Sequence, residues 1–291
     1  MDSFVPVAGG VKLHVRHQPG DGARPFFLLH GLGSNARLWD EVADRLCAAG
    51  HPVYAVDMRG HGESDSPASG YDHATVVADL VGACAAIGLT DVLLAGHSWG
   101  GNIALRLSVE HPALVRALAL IDSGIDPKLV GGTWEQYVSS VERLRPDTTG
   151  GTVESMRAFL RARHPSWSPT LIEASLADMR VNPDGSLSQR LSTEQFLSLV
   201  RSMWDDPPSR WYPAVTVPVM LLNAVPDATV GWQAIWGSYM ERWVGAAVEA
   251  MPQAQSRWYR DADHNVHAEQ PDRVADDLLD LARGVDPLVQ V

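Results

Sequence analysis

Short, continuously apolar runs recur along the chain, separated by stretches whose apolar residues fall at helical spacing. The runs Pro25 to His30, Pro52 to Asp57, Val92 to Gly96, Ala117 to Asp122, Pro218 to Asn223 and Ser256 to Arg260 show no polar alternation. A strand covered on both faces needs none, so these runs predict a mainly parallel sheet with helices packed on each side. Arg37 to Ala49, His73 to Ile87, Gly101 to Glu110 and Asp272 to Ala282 carry the helical pattern expected of the crossovers. Ahead of them, Ser3 to Val7 and Val11 to Arg16 flank Gly9-Gly10 and predict an antiparallel hairpin, giving a sheet of about eight strands.

The alternation stops between about Ile125 and Pro213. Helix patterns near Thr133 to Leu144, Val153 to Arg163, Pro169 to Met179 and Ser192 to Met203 follow one another there, joined by Pro- and Gly-rich segments and without a strong strand run. The expected organisation is an α/β core formed by residues 1–124 and 214–291, interrupted by an all-helical cap over residues 125–213.

Composition narrows the function classes. The chain has 291 residues, 45% of them hydrophobic and 20% charged, so a large core forms without staples and disorder is excluded. A net charge of -12 disfavours a nucleic-acid or anionic-membrane partner. The N-terminal residues lack a basic segment followed by an apolar one, and no run reaches about 18 apolar residues, so the expectation is a cytoplasmic protein without a membrane span. Two cysteines, Cys47 and Cys84, make no disulfide framework and read as packed thiols.

The strongest chemical signal is Gly96-His97-Ser98-Trp99-Gly100-Gly101, placed directly after one predicted strand and before a helix. Small residues on both sides let the backbone turn sharply and lift the Ser98 hydroxyl clear of the sheet, the position of a nucleophile. A hydroxyl becomes nucleophilic only when a base takes its proton, and His264, after the last predicted strand, is placed to do so; His267 is its nearest rival. A carboxylate must orient that imidazole. Asp227, past the run Pro218 to Asn223, gives the chain order Ser98, Asp227, His264, and Asp122 at the end of Ala117 to Ile121 is the alternative acid. The glycines of His30-Gly31-Leu32-Gly33 leave amides free to face a site, so the backbone N–H groups of Leu32 and Trp99 are the expected oxyanion donors. His264, His267 and Glu269 also invite a metal reading, but no further ligand framework accompanies them, and neither metal nor cofactor is expected.

Taken together, His30-Gly31-Leu32-Gly33, Asp57-Met58-Arg59-Gly60-His61-Gly62-Glu63-Ser64, the turn at Ser98, the loop Leu222 to Asp227, and His264 followed by Glu269-Gln270-Pro271 resemble the α/β-hydrolase fold superfamily over essentially the whole chain. The resemblance implies a serine hydrolase with a lid, and a structural role for the Asp57 to Ser64 segment. Two positions depart from it: Ala224 and Asp263 stand where glycine is common.

Aromatic residues crowd the cap and the helix after Asp227. Trp134, Tyr137, Trp167, Trp204 and Trp232 are the candidates for lining a pocket that takes a fairly apolar or aromatic small molecule. The leading expectation is hydrolysis of a carboxylic ester or lactone through an acyl-enzyme. The alternatives are carbon-carbon bond hydrolysis, thioester hydrolysis or perhydrolase chemistry on the same residues, and a slow-turnover ligand receptor.

Overall fold

The computed structural model describes residues 1–22, 24–124, 126–128, 132–142, 151–225, 232–260 and 262–285, with the backbone alone over 232–238. Eight strands form the central sheet: β1 (Asp2–Pro6), β2 (Lys12–Gln18), β3 (Phe26–Leu29), β4 (Val53–Val56), β5 (Val92–His97), β6 (Val115–Ile121), β9 (Val219–Val225) and β10 (Ala254–Arg260). Their spatial order is β1-β2-β4-β3-β5-β6-β9-β10. The pairs β1/β2 and β2/β4 are antiparallel and the rest are parallel.

The apolar runs are buried on both sides because helices cover both sides. Along β6, Leu118 and Leu120 enter one apolar cluster with α2 (His73–Ile87), α3 (Trp99–Glu110) and α8 (Trp232–Ala250). Ala117, Ala119 and Ile121 point the other way, into a cluster with α1 (Asp40–Ala48) and α10 (Pro271–Val285). Removing one of these buried leucines, Leu120→Ala for instance, costs about 2–5 kcal/mol through lost burial and the void left behind. The ends of α2 show the local rules at work: the Asp72 side chain accepts the Thr75 N–H, and Gly88 closes the helix at φ 74°. Burial within α2 pushes the Cys84 thiol up to about 12, as expected of an inert packed cysteine.

The segment between β6 and β9 carries α4 (Trp134–Glu142), α5 (Val153–Arg163), α6 (Pro169–Leu176) and α7 (Thr193–Asp205). It is not all helical. A two-stranded antiparallel hairpin, β7 (Met179–Val181) and β8 (Leu187–Gln189), stands between α6 and α7. Its turn, Asn182-Pro183-Asp184-Gly185, has Gly185 at φ 83°. Those turn residues were a legible signal, overridden in the sequence reading by the helix patterns on either side. A third apolar cluster, including Met156, Leu160, Trp167, Leu171 and Ile172, seats α5 and α6 against Leu38 and Ala268 of the core. Where the insertion leaves and rejoins the core its two ends are tied: the Tyr212 hydroxyl donates to the Gly124 carbonyl, and the Trp243 indole N–H donates to the Tyr212 oxygen at 2.6 Å.

Candidate active site

Ser98 lies between β5 and α3 at φ 53°, ψ -125°. A backbone held there is strained by about 1–3 kcal/mol, and the surroundings must enforce it. They do so by close packing. A Cβ on Gly96 would stand 2.4 Å from the Gly100 carbonyl oxygen, and one on Gly100 would stand 2.3 Å from that of His30. The Ser98 N–H donates to Ile121 and its carbonyl accepts the Ser123 hydroxyl at 2.7 Å, which fixes the turn against the end of β6.

The Ser98 hydroxyl donates to His264 Nε2 at 2.9 Å. His264 lies on the loop between β10 and the short helix α9 (Val266–Glu269). Its Nδ1–H donates to Asp122 Oδ2 at 2.6 Å, and the other Asp122 oxygen accepts the Ala224 N–H at 3.0 Å. The three groups thus form one directed line from a carboxylate, through an imidazole whose tautomer the carboxylate sets, to a hydroxyl. Asp122 itself takes φ 42°, so the serine and the carboxylate are two of the three described non-glycine residues with positive φ. The other candidate acid, Asp227, lies outside the described residues. Among the described residues, Asp122 is the candidate acid that meets the imidazole, its Oδ2 occupying His264 Nδ1. The strands that the two candidate acids follow, β6 and β9, are hydrogen-bonded neighbours.

The loop that follows β3 is positioned by His30. Its Nε2 accepts the Met58 N–H at 3.0 Å, so the proton sits on Nδ1, which donates to the Gly31 carbonyl at 2.7 Å. In a trans peptide the N–H points opposite to the carbonyl, so fixing Gly31 C=O toward His30 turns the Leu32 N–H the other way. That loop touches the nucleophile directly: a Cβ on Gly31 would lie 3.2 Å from Ser98 Cβ. Trp99 opens α3, where a backbone N–H has no acceptor within the helix.

Three further histidines, His97, His267 and His61, enclose the site. His97 Nε2 donates to the His264 carbonyl at 2.8 Å and so holds the base loop. His267, the rival base, is 1% exposed and packed between Trp39 and His97 at 4.5 and 4.2 Å, out of line with Ser98. His61 lies over the Trp99 ring at 5.4 Å. Burial pushes His61 and His267 down to about 3 and His97 well below its ordinary value, so all three are neutral. His264 goes the opposite way. Burial works against its charge, but the hydrogen bond and charge of Asp122, with help from Asp263, outweigh it and raise its pKa. Its side chain is 45% exposed, so the one histidine of this group that readily takes a proton is the one open to a ligand.

His264, His267 and Glu269 do not converge. His164, Asp263 and Glu269 bring donor atoms within 4.8 Å of one another instead. The two carboxylates are engaged in shaping the base loop: Asp263 accepts the His264 N–H and Glu269 accepts the Asp263 N–H, each at 2.8 Å. Of the pocket candidates, Trp134, Tyr137 and Trp204 form a half-buried group with ring centres 5.5–6.4 Å apart on α4 and α7. Trp167 does not join them; it is buried in the cluster beneath α5 and α6 and stacks on His164 at 4.0 Å. The Trp232 side chain lies outside the described residues. A cavity of about 260 Å³ opens between the Asp57 to Glu63 loop and the cap, lined in part by His14, Arg37, Glu173 and Arg190, away from Ser98.

Comparison with known proteins agrees with the fold. Residues 26–277 match the model of the alpha/beta hydrolase family. A 2-(acetamidomethylene)succinate hydrolase of Mesorhizobium japonicum is 27% identical over 218 residues, covering 74% of each chain. An N-formylmaleamate deformylase of Pseudomonas putida is 32% identical over 186 residues, covering 57% of this chain and 66% of that one. Among solved structures, that of E-2-(acetamidomethylene)succinate hydrolase superposes with a TM-score of 0.76 over 97% of this chain and 99% of that one, at 21% identity. The extent of the family match, on a sheet whose strand ends gather Ser98, His264 and Asp122, identifies the chain as a member of the alpha/beta hydrolase family.

Proposed function

We propose that this protein is a serine hydrolase that cleaves a carboxylic ester or lactone of a fairly apolar small molecule through an acyl-enzyme. The observation that carries the reading is the hydrogen-bonded line from Asp122 through His264 to Ser98. In it, Ser98 Oγ attacks the acyl carbon while His264 Nε2 takes the hydroxyl proton. Asp122 holds the ring in the Nδ1–H tautomer and stabilises the imidazolium that forms. The carbonyl oxygen becomes an oxyanion facing the N–H groups of Leu32 and Trp99, a kind of contact worth a factor of about 100–1000 in rate per donor. As the tetrahedral intermediate collapses, His264 returns its proton to the departing alkoxide. Water then loses a proton to His264, attacks the acyl-serine and releases the acid, restoring the Ser98 hydroxyl. In a lactone the alcohol stays tethered, so one hydroxy acid leaves. Trp134, Tyr137 and Trp204 supply the apolar wall for the substrate.

The names of the two relatives, a hydrolase of an acetamido compound and a deformylase of an N-formyl compound, favour a second reading on the same residues: cleavage of an N-acyl bond, with His264 protonating a leaving amine. Both readings are tested by intact mass after fluorophosphonate treatment of wild type and Ser98→Ala, with turnover of short and long p-nitrophenyl esters and of an N-formyl amide. One adduct on the wild type, none on the variant and sustained ester turnover are expected. Amide turnover exceeding ester turnover would move the assignment to the second reading, and an unlabelled wild type would overturn both.

A further inference from the structure

Two polar side chains, one buried and one partly exposed, take no part in the line of Asp122, His264 and Ser98. His73, at the start of α2, is 1% exposed. Its Nε2 accepts the indole N–H of Trp99 at 3.2 Å, which leaves the proton on Nδ1, facing Asp206 Oδ2 at 3.5 Å. Asp206 is the residue that ends the cap helix α7. The same carboxylate group accepts Arg106 Nη1 at 2.9 Å and the Trp211 indole N–H at 3.0 Å.

Trp99 and Arg106 are seven residues apart, hence two turns apart on one face of α3. One cap carboxylate therefore grips the helix of the nucleophile turn at two points, through His73 at its first residue and directly two turns later. A further bond locks the arrangement: the His73 backbone N–H donates to Ser202 Oγ of α7 at 2.8 Å. Trp99 is fully buried and its other flank is held by His61, so its side chain has one seat.

We infer that Asp206 and His73 are positioning residues: they hold the Trp99 side chain, and with it the backbone N–H beside Ser98, in a place set by the cap. The inference rests on the proposed serine chemistry, in which that N–H faces the oxyanion. It adds that the rate of the acyl step depends on a cap residue that does not contact the reacting atoms. An oxyanion donor displaced by a few tenths of an ångström still binds substrate but stabilises the transition state less, so the loss falls on kcat and not on KM.

The test compares His73→Leu, which removes both polar contacts, with His73→Gln, whose amide can accept from the Trp99 indole and donate toward Asp206. Each is assayed for kcat, KM and fluorophosphonate labelling rate, and for hydrogen exchange of the amides of residues 99–103. His73→Leu is expected to lower kcat and labelling about 10- to 100-fold with KM within about twofold, and to speed exchange in that segment. His73→Gln should return kcat to within about threefold of wild type. Should His73→Leu not fold, Asp206→Asn, which keeps the shape and removes the charge, carries the same expectation at about three- to tenfold. Unchanged kcat and exchange in these variants, or equal losses in His73→Leu and His73→Gln, would overturn the inference. Absence of labelling on the wild type would sink the serine reading alone, and the exchange comparison would still decide whether the bridge holds the turn.

Discussion

Two His–Asp pairs of nearly equal length sit in this protein. In one, His264 Nδ1 meets Asp122 at 2.6 Å; in the other, His14 Nδ1 meets Asp57 at 2.7 Å. Both imidazoles have raised pKa values, each against the opposing effect of burial. What differs is the second ring nitrogen and the rest of the carboxylate. His264 Nε2 meets a hydroxyl held on a strained turn, in a place open to a ligand. His14 Nε2 is buried without a hydrogen-bond partner, and Asp57 spends its remaining capacity on the N–H groups of Ala36 and Glu63 at 2.6 and 2.9 Å. The pair at β2 closes loops; the pair at β6 turns its second nitrogen to the Ser98 hydroxyl. A His–Asp contact is therefore an orienting device whose purpose is set by what the far nitrogen faces.

Substitution should separate the two pairs cleanly. Ser98→Ala should lower kcat by about a million-fold and Asp122→Asn by about 10⁴-fold, with unfolding midpoints little changed in urea. If Asp122→Asn retained the wild-type rate while Asp227→Asn lost it, the acid assignment would be wrong. At the other pair, His14→Ala should remove about 3–5 kcal/mol of stability by leaving Asp57 charged and unpaired, with kcat per folded molecule within about twofold. Urea melts and active-site titration with a phosphonate check both halves of that statement.

The pH dependence sharpens the contrast further. His61 and His267 have folded pKa values depressed to about 3, below the unfolded 6.5, so the unfolded chain takes up protons that the folded one refuses as pH falls below 6.5. Each should cost about 1.4 kcal/mol of stability per pH unit over that window. His14 and His264, with raised pKa values, contribute stability that is full below 6.5 and lost as pH rises through their folded values. Urea midpoints measured from pH 8 to pH 4.5 should fall steeply on the acid side, and a flat profile there would contradict the neutral histidines. The smallest effect is on the rate profile. kcat/KM should rise with pH through a midpoint above 6.5, because His264 must be neutral to act as base, and Asp122→Asn should bring that midpoint down.

The sheet was readable because burial on both faces leaves its mark at every position of a strand, as in Phe26–Leu29. Ser98 was readable because close packing at Gly96 and Gly100 restricts the residue types at a fixed spacing. The acid was not, since Asp122 and Asp227 both follow buried strands that pair with each other, and nothing in a linear chain tells which carboxylate turns toward a shared imidazole. One local sign did exist: Asp122 follows the last residue of β6 directly, as Ser98 follows β5, whereas Asp227 comes two residues after β9 ends. His73 and Asp206 were invisible because they meet across 133 positions of sequence through a side-chain contact that no motif encodes.

The tie between Tyr212 and Gly124 gives the insertion the properties of a cassette. Its two ends leave the core at one stapled point, so a substitute cap of different length can be spliced there without changing the separation of the cut ends. The cut must fall beyond Gly124, whose N–H is held by Asn102 at 3.1 Å, because Asp122 and Ser123 on the near side belong to the site. A chimera joined at Gly124 and Tyr212 should keep its reactive serine and exchange its choice of substrate. One joined two residues earlier should lose both.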